Sequence, residues 1–426
     1  MILIHHIGLL AGVRGQSHLL KGQDLRDLPC LENAWILVGD NGRIAAYGTA
    51  EEDWKTGAYA QSNNPKAGYP AEALLQEIDA AGATVLPCWC DSHTHLVFAG
   101  SREHEFVDKL KGMTYAEIAA RGGGILHSAA LLRKTDEDTL YALAYARLLE
   151  LVRLGTGAIE IKSGYGLDPE SEIKMLRVIR RLKQNAPIPV KATFLGAHAF
   201  PSEYKDDRAG YIRLVTETML PRIAAEGLAD YIDVFCEEGF FGPEETLAIC
   251  AAGRAFGLPA KIHANQLHCS GGVQAGVSAG AISVDHLESA GAQEIECLRG
   301  TGTIATLLPG AAFFLRLPYP PARAMIAGDL PVALASDYNP GSCPSGNMNL
   351  VVSLACVQMK LLPEEAINAA TLNGAYAMGL GAEAGSITEG KLANLIFMKP
   401  QTSLAYLPYA FGSNCIDRVM INGEFI

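Results

Sequence analysis

Apolar and polar positions follow two alternating patterns along the middle of the chain. Eight short runs are rich in apolar and β-branched residues, as buried strands are: Val85–Cys88, Ala158–Ile161, Val190–Phe194, Ile232–Phe235, Lys261–His263, Ile282–Val284, Thr303–Leu307 and Val332–Ala335. Longer segments with helical character, such as Leu140–Leu154 and Glu170–Asn185, lie between most of them. This alternation predicts a parallel sheet with right-handed crossovers. Eight such units in about 300 residues predict a (β/α)8 TIM-type barrel. An open doubly wound sheet is the alternative, but we would not expect it to bring all eight strand ends to one site.

The two ends of the chain instead carry short apolar runs separated by turns. Trp35–Val38 precedes an Asn41-Gly42 turn, which predicts a hairpin. Ala393–Met398 and Arg418–Ile421 are further candidate strands near the C-terminus. We therefore predict a small β-sandwich domain formed by residues 1–80 and 385–426, interrupted by a barrel at 81–384.

Composition and charge narrow the classes of function. The 426 residues exceed what one compact domain usually needs, and a hydrophobic content of 49% allows a large core. A formal net charge of -12 disfavours binding to nucleic acid or to an anionic membrane. No apolar stretch approaches the roughly 20 residues of a membrane span, and the first residues lack the features of a signal peptide. We expect a cytoplasmic protein that acts on a small molecule.

Polar residues follow the predicted strands at nearly every strand end. They are Asp91, His93, His95, Lys162, Tyr165, His198, Glu237, Glu238, His263, Asn265, Gln266, Asp285, His286, Asp337 and Asn339. In a (β/α)8 barrel the catalytic groups lie at the C-terminal ends of the strands. The distribution therefore predicts one active site at that face of the barrel.

Four of these residues predict a metal site. His93 and His95 are two positions apart, so on an extended strand they face the same side and can bind one ion. The pair alone is weak evidence for a metal site, because two histidines without a metal-binding role would give the same sequence pattern. His263 as a third ligand and Asp337 as a fourth make three imidazoles and a carboxylate, which suit zinc or a similar ion with a position left for water. A metal-bound hydroxide would then be available near neutral pH.

Other strand-end residues are candidates for proton transfer and substrate binding. Asp337 could also take the proton of the water. If His286 is not itself a metal ligand, it could orient the water or carry the proton to the leaving nitrogen, or it could only fix a ligand. His198 could polarise a carbonyl oxygen or cap a loop. Arg102 could bind a substrate carboxylate through its planar guanidinium, although a surface ion pair is the usual fate of arginine.

Several glycine-containing loops follow the strands. Ser163-Gly164-Tyr165-Gly166 and Asn339-Pro340-Gly341-Ser342 can hold a small polar ligand through backbone N–H groups and side chains. Gly122-Gly123-Gly124 is a third such loop, and it is not a phosphate-binding loop because no Gly-Lys-Ser/Thr follows it.

With these motifs in place, nearly the whole chain resembles the amidohydrolase superfamily, and within it the enzymes of histidine breakdown that open an imidazolone ring. The most specific segment is Asp91-Ser92-His93-Thr94-His95-Leu96-Val97-Phe98-Ala99-Gly100-Ser101-Arg102. The others are Gly122–Leu126, Lys162–Gly166, Leu195–Ala199, His263–Leu267, Asp285–Glu288 and Ser336–Ser342.

The resemblance implies a barrel with a small β domain made from both chain ends, usually as a homodimer. It implies one zinc or iron ion per subunit, held by His93, His95, His263 and Asp337. The implied reaction is hydrolysis of 4-imidazolone-5-propanoate to N-formimino-L-glutamate. The implied contacts are Arg102, Tyr165, His198 and Gln266 for the substrate, and Asn339, Gly341 and Ser342 for the ring-opened product.

The chain departs from the superfamily pattern at three places. Pro87-Cys88-Trp89-Cys90 stands where Pro-Gly and aliphatic residues are usual. Gln266 stands where relatives that deaminate cyclic amidines often carry glutamate. Because glutamine cannot shuttle a proton, proton transfer is assigned to His286 and Asp337 instead. No lysine ends the fourth strand, where two-metal relatives carry a carboxylated lysine, which favours a single ion.

Two other functions remain as alternatives. A deaminase of a purine, pyrimidine or related ring would share the metal site, but Arg102 and Gln266 favour an acidic substrate and ring hydrolysis. Alternatively, the barrel could lack catalytic activity and serve as an interaction scaffold. The presence of all four predicted metal-ligand residues argues against this alternative.

Overall fold

The structure of the protein is a computed structural model that describes residues 1–50, 76–113, 117, 121 and 123–426. Gly122 of the predicted Gly122–Gly124 loop lies outside these residues. Within the described ranges, no helix is both long enough and apolar enough to cross a membrane.

Strands from both ends of the chain form one eight-stranded sheet. The N-terminal part contributes β1 (Ile2–Ala11), β2 (Cys30–Val38), β3 (Ile44–Thr49), β4 (Gln76–Asp79) and β5 (Thr84–Pro87). A second set of eight strands follows. They are β6 (Trp89–Thr94), β7 (Thr156–Lys162), β8 (Val190–Ala197), β9 (Tyr231–Cys236), β10 (Ala260–Ala264), β11 (Ser283–His286), β12 (Ile304–Leu307) and β13 (Val332–Leu334). The C-terminal part adds β14 (Leu395–Met398), β15 (Ile416–Ile421) and β16 (Glu424–Phe425). The terminal sheet has the order β16-β15-β14-β5-β1-β2-β3, with β4 beside β1.

The strands β6 to β13 pair in parallel in chain order and form the barrel. Hydrogen bonds close the ring beyond β13, where the Asp337 N–H donates to the His93 carbonyl and the His95 N–H donates to the Tyr338 carbonyl, both at 2.9 Å. The predicted fold class, a (β/α)8 barrel with a separate β unit made from both termini, is therefore confirmed.

The first barrel strand was placed wrongly by the sequence pattern. Thr84–Pro87 pairs with β1 and β14 in the terminal sheet, and the barrel begins only at Trp89. The chain changes sheet at Cys88, whose N–H donates to the Asn394 carbonyl, while the Trp89 N–H donates to the Gly155 carbonyl. Asp91 and His93 consequently lie inside a barrel strand rather than after it.

The helices lie between the strands as the pattern predicts. They are α1 (Glu103–Leu110), α2 (Ile125–Lys134), α3 (Glu137–Arg153), α4 (Pro169–Asn185), α5 (Arg208–Arg213), α6 (Leu220–Glu226), α7 (Pro243–Ala255), α8 (Gly272–Ala279), α9 (Ala292–Leu298), α10 (Pro309–Leu315), α11 (Ala322–Ala327), α12 (Met348–Met359), α13 (Pro363–Ala370), α14 (Leu372–Ala377) and α15 (Tyr406–Tyr409). Short 3-10 turns occur at Gly22–Arg26 and Ser202–Tyr204, and a π-helical stretch at Leu214–Met219. The N-cap carboxylates of Asp136 and Asp168 accept the N–H groups of Thr139 and Ser171 and fix where α3 and α4 begin.

Alternation along the barrel strands sends one set of side chains into the barrel. Successive residues of a strand face opposite sides, so Lys261 and His263 of β10 point the same way, with His263 nearer the C-terminal end. Glu160 and Lys162 of β7 are related in the same manner. Polar groups therefore occupy the interior just below the strand ends, where TIM-type barrels carry their chemistry.

Candidate active site

Four buried side chains converge at the C-terminal end of the barrel. The Nε2 atoms of His93 and His95 each lie 3.6 Å from Oδ1 of Asp337. His95 Nε2 also lies 3.4 Å from His263 Nε2. His93 comes from β6, His95 from the residue after it, His263 from β10, and Asp337 from the loop after β13. The structure thus brings together all four predicted metal ligands.

The chemistry of this cluster fits one metal ion. His93 Nε2 is buried and has no hydrogen-bond partner among the described residues. Burial, and then neighbouring positive groups, lower the pKa values of His93, His95 and His263 well below the usual range, so these imidazoles are neutral at pH 7. Neutral imidazole nitrogens facing one carboxylate oxygen form a donor set suited to zinc or a similar ion. Donor atoms of His93, His95 and Asp337 lie within 4.8 Å of one another, as do those of His93, His263 and His286.

Two further carboxylates orient the imidazoles. Oδ2 of Asp285 lies 2.6 Å from His93 Nδ1, and Oδ2 of Asp233 lies 2.9 Å from His263 Nδ1. The Asp285 contact is a hydrogen bond, whereas the Asp233 contact is a close approach outside hydrogen-bond geometry. Both carboxylates face the Nδ1 side of a ring, which leaves Nε2 directed at the cluster. Asp285 was among the polar residues noticed at strand ends, whereas Asp233 was missed because it lies inside β9.

The Asn339–Ser342 loop fixes Asp337. Ser342 Oγ donates to Asp337 Oδ2 at 3.1 Å, and Asn339 Nδ2 donates to the Asp337 carbonyl at 2.7 Å. Asn339 Oδ1 accepts the N–H groups of Gly341 and Ser342, both at 2.8 Å. Asp337 itself has a φ of 55°, a conformation that non-glycine residues seldom adopt. Burial, opposed by His286 and Ser342, raises the pKa of Asp337 to about 6.

A cavity of about 580 Å³ opens above the cluster. Its walls include every predicted substrate- or product-contacting residue, namely Arg102, Tyr165, His198, Gln266, Asn339, Gly341 and Ser342, together with His95, His263, His286 and Asp337. Phe106 and Lys109 of α1, and Arg316 after α10, also line it and were not anticipated. These three residues lie on crossover segments, away from the strand ends. The pattern of polar residues that directly follow predicted strands therefore could not indicate them.

Arg102 is held at the edge of this cavity. Its Nε and Nη2 atoms lie 3.0 and 2.9 Å from Oε2 of Glu105, whose Oε1 accepts the Gly124 N–H at 2.8 Å. Gly341 packs so closely against Arg102 that a Cβ atom added to Gly341 would lie 2.1 Å from Arg102 Nη1. The absence of a side chain at Gly341 therefore makes room for the guanidinium.

His198 has a defined tautomer. Its Nδ1 lies 3.0 Å from the Gly164 carbonyl oxygen, which can only accept, so Nδ1 carries the proton. Burial, opposed by this hydrogen bond, lowers the pKa of His198 to about 4. The ring is therefore neutral at pH 7, and Nε2 is a hydrogen-bond acceptor. Its ring stacks on that of His95 with centroids 5.2 Å apart.

His286 lies beside the cluster with an unusual backbone. Its φ is 87°, and its Nδ1 lies 3.3 Å from Oε1 of the buried Glu288. Burial alone would lower the pKa of His286, but the negative charge of Glu288 and its hydrogen bond outweigh burial and raise it. A histidine that binds a proton readily beside the metal ligands is suited to proton transfer.

Comparison with known proteins assigns the family. The Amidohydrolase family profile matches residues 84–426. The chain is 54% identical over 425 residues to imidazolonepropionase of Flavobacterium johnsoniae, covering 100% of the chain and 99% of that protein. It is 52% identical over 426 residues to imidazolonepropionase of Christiangramia forsetii, covering 100% of both. The chain belongs to the imidazolonepropionase family of amidohydrolases.

Solved amidohydrolase structures share the fold at low sequence identity. A zinc-bound adenosine deaminase from Xanthomonas campestris superposes with a TM-score of 0.64 at 17% identity, covering 100% of this chain and 92% of the other. A 5-methylcytosine deaminase from Klebsiella pneumoniae gives a TM-score of 0.71 at 14% identity, covering 98% and 97%. These likenesses concern the fold alone, and the assignment to the imidazolonepropionase family rests on the full-length relatives.

Proposed function

We propose that this protein hydrolyses 4-imidazolone-5-propanoate to N-formimino-L-glutamate, a step of histidine degradation. The observation that carries the proposal is one cavity with the His93–His95–His263–Asp337 cluster at its base and Arg102 on its wall. A hydrolytic metal centre and a carboxylate-binding cation within one cavity match a ring that carries a propionate chain. Full-length relatives named imidazolonepropionase support the same activity.

The proposed metal ligands are His93, His95, His263 and Asp337, which would hold one zinc or iron ion per subunit. Such an ion, when bound, lowers the pKa of water towards neutrality and polarises a carbonyl oxygen. Asp233 and Asp285 keep the imidazoles of His263 and His93 turned towards the ion. Ser342 and Asn339 keep the Asp337 carboxylate in place.

The cavity walls place the substrate. Arg102 binds the propionate carboxylate, with Glu105 fixing the guanidinium and Gly341 leaving it room. His198 accepts a ring N–H of the imidazolone through Nε2, because its Nδ1 proton is already donated to Gly164. This role replaces the carbonyl-polarising one, since a neutral imidazole in this tautomer has no proton to donate to an oxyanion. Tyr165 and Gln266 complete the proposed substrate contacts.

Proton movement is assigned to Asp337 and His286. Water adds its oxygen to the ring carbonyl carbon, the C–N bond breaks, and the released nitrogen takes one proton. Asp337 accepts a proton from the attacking water, and His286, whose proton affinity is raised by Glu288, supplies one to the nitrogen. The carbonyl carbon becomes a second carboxylate as the remaining proton of the water returns to His286. We propose that Asn339, Gly341 and Ser342, which line the cavity, contact this carboxylate.

The test is a spectrophotometric assay of imidazolone propionate loss beside two comparison compounds. We expect rapid hydrolysis of the propionate, much slower hydrolysis of the same ring with a neutral propionamide chain, and no ammonia release from guanine. Equal rates for the charged and neutral chains, or faster deamination of guanine, would contradict the proposal. A cytoplasmic homodimer is also proposed, and light scattering of the purified protein would determine its oligomeric state.

A further inference from the structure

A network of five buried charged side chains lies directly beneath the proposed metal ligands. We propose that Lys162 is a positioning residue for the metal centre, because one ammonium holds both carboxylates that orient ligand imidazoles. This inference rests on the proposed function, since it takes His93 and His263 as ligands. Lys162 belongs to a loop motif of the sequence, but no step of the proposed mechanism uses its charge.

The distances define the arrangement. Lys162 Nζ lies 2.9 Å from Asp233 Oδ2 and 3.7 Å from Asp285 Oδ2. Those same two oxygen atoms lie 2.9 Å from His263 Nδ1 and 2.6 Å from His93 Nδ1. Each of these carboxylate oxygens therefore lies within ion-pair distance of both Lys162 and a proposed ligand imidazole. Lys162 in this way stands between two proposed ligands that come from β10 and β6.

The rest of the network leaves these carboxylates no other position. Ser283 Oγ donates to Asp285 Oδ1 at 2.5 Å, and the His263 N–H donates to Asp233 Oδ1 at 3.1 Å. Lys162 also donates to Glu160 Oε1 at 2.6 Å. All of these charged side chains are fully buried, so water cannot replace a missing partner and the geometry depends on the network itself.

The charges explain why the ammonium is needed. Asp233, Asp285 and Glu160 are three buried carboxylates, and within the part of the chain that the structure describes, Lys162 and Lys261 are the ammonium groups within 4.0 Å of them. Without Lys162, a buried cluster of three carboxylates would keep one ammonium. Repulsion would then move Asp233 and Asp285, and the imidazoles they hold would turn with them. Outer partners of this kind typically change metal affinity 10- to 100-fold when they are removed.

Lys261 provides a matched control in the same network. It is equally buried and also pairs with Glu160, but it donates to the Ser92 carbonyl at 2.9 Å and lies 4.0 Å from Asp285. It has no contact with Asp233 within ion-pair distance. Replacing Lys261 removes the same charge at the same depth, while Asp233 keeps its ammonium partner.

The experiment measures metal release without using turnover. Wild-type, Lys162→Met and Lys261→Met proteins are loaded with Zn²⁺ and mixed with excess chelator, and the zinc that remains bound is followed over time. Circular dichroism and thermal unfolding establish that each variant is folded. We expect Lys162→Met to release zinc 10- to 100-fold faster than wild type, and Lys261→Met to show a clearly smaller change.

If Lys162→Met does not fold, Lys162→Gln is measured in its place, because it keeps a polar side chain but removes the charge that pairs with Asp233 and Asp285. The same acceleration of zinc release is expected, and the same outcomes would overturn the inference. A folded Lys162→Met protein that releases zinc at the wild-type rate, or equal acceleration in both lysine variants, would overturn the inference. Failure of the proposed function is distinguishable, because wild type itself would then bind no zinc or not turn over the imidazolone substrate.

Discussion

Replacing Gly341 by alanine should weaken substrate binding by displacing Arg102. The added Cβ would lie 2.1 Å from Arg102 Nη1 and 2.8 Å from its Cζ, well inside contact distance. Gly341 does not have a positive φ, so alanine can adopt its backbone conformation without strain. The clash must therefore be relieved by the guanidinium, which Glu105 holds through Nε and Nη2.

The structure gives the magnitude. Ordinary contact needs about 3.4 Å, so the guanidinium has to move by roughly 1.3 Å, and a misplacement of about 1 Å can cost 10²-fold in rate. Complete loss of a desolvated charge contact costs about 2–5 kcal/mol. A partial displacement should therefore raise KM for imidazolone propionate by about 10- to 100-fold, with zinc content unchanged.

The assay is steady-state kinetics of Gly341→Ala beside Gly15→Ala. Among the described residues, no atom beyond Gly15 and its two chain neighbours lies within 4 Å of the Cβ added in the control, which should therefore behave as wild type. An unchanged KM in a folded, zinc-loaded Gly341→Ala protein would refute the reasoning, because it would mean that Arg102 does not bind the propionate at this position.

Three further predictions concern the ligands and the cavity. His263→Ala should lose both bound zinc and turnover, and retained zinc with a retained rate in metal analysis would remove His263 from the ligand set. Arg102→Met should raise KM by about 30-fold or more, which corresponds to about 2 kcal/mol or more, without loss of metal, whereas an unchanged KM would exclude the carboxylate role. His198 has a pKa of about 4 in the folded state against about 6.5 when unfolded, so its contribution to stability is lost as pH falls through that window. Thermal unfolding of His198→Asn should accordingly depend less on pH between 6.5 and 4, and an unchanged slope would contradict the lowered pKa of His198.

The barrel could be predicted because its signal repeats locally. Seven of the eight predicted runs lie on barrel strands, β7 to β13, and each of these strands is buried and is followed by a helix. The exception is instructive, because Val85–Cys88 is as apolar as the others yet spans the point where the chain leaves one sheet for another. Apolar character shows that a strand is buried, but it does not show which sheet pairs with it.

The convergence of His93, His95, His263 and Asp337 could be predicted for a similar reason, since strand ends gather at one face. The charges beneath them could have been found as well, because Glu160, Asp233 and Lys261 interrupt otherwise apolar strands, and a buried charge needs a buried partner. The positive φ values of His286 and Asp337 could not be foreseen, since neither is glycine. The contributions of Phe106, Lys109 and Arg316 to the cavity depend on how crossover segments fold over the barrel.

We propose that one metal ion, bound in the His93–His95–His263–Asp337 cluster, is required for hydrolysis of imidazolone propionate by this protein. The most direct test strips the purified protein with chelator and titrates Zn²⁺ back while substrate loss is followed. We predict that turnover returns in proportion to added metal and stops rising at about one ion per chain, as expected for a mononuclear site. Turnover that survives complete removal of metal, or that rises until two ions per chain are bound, would contradict the claim.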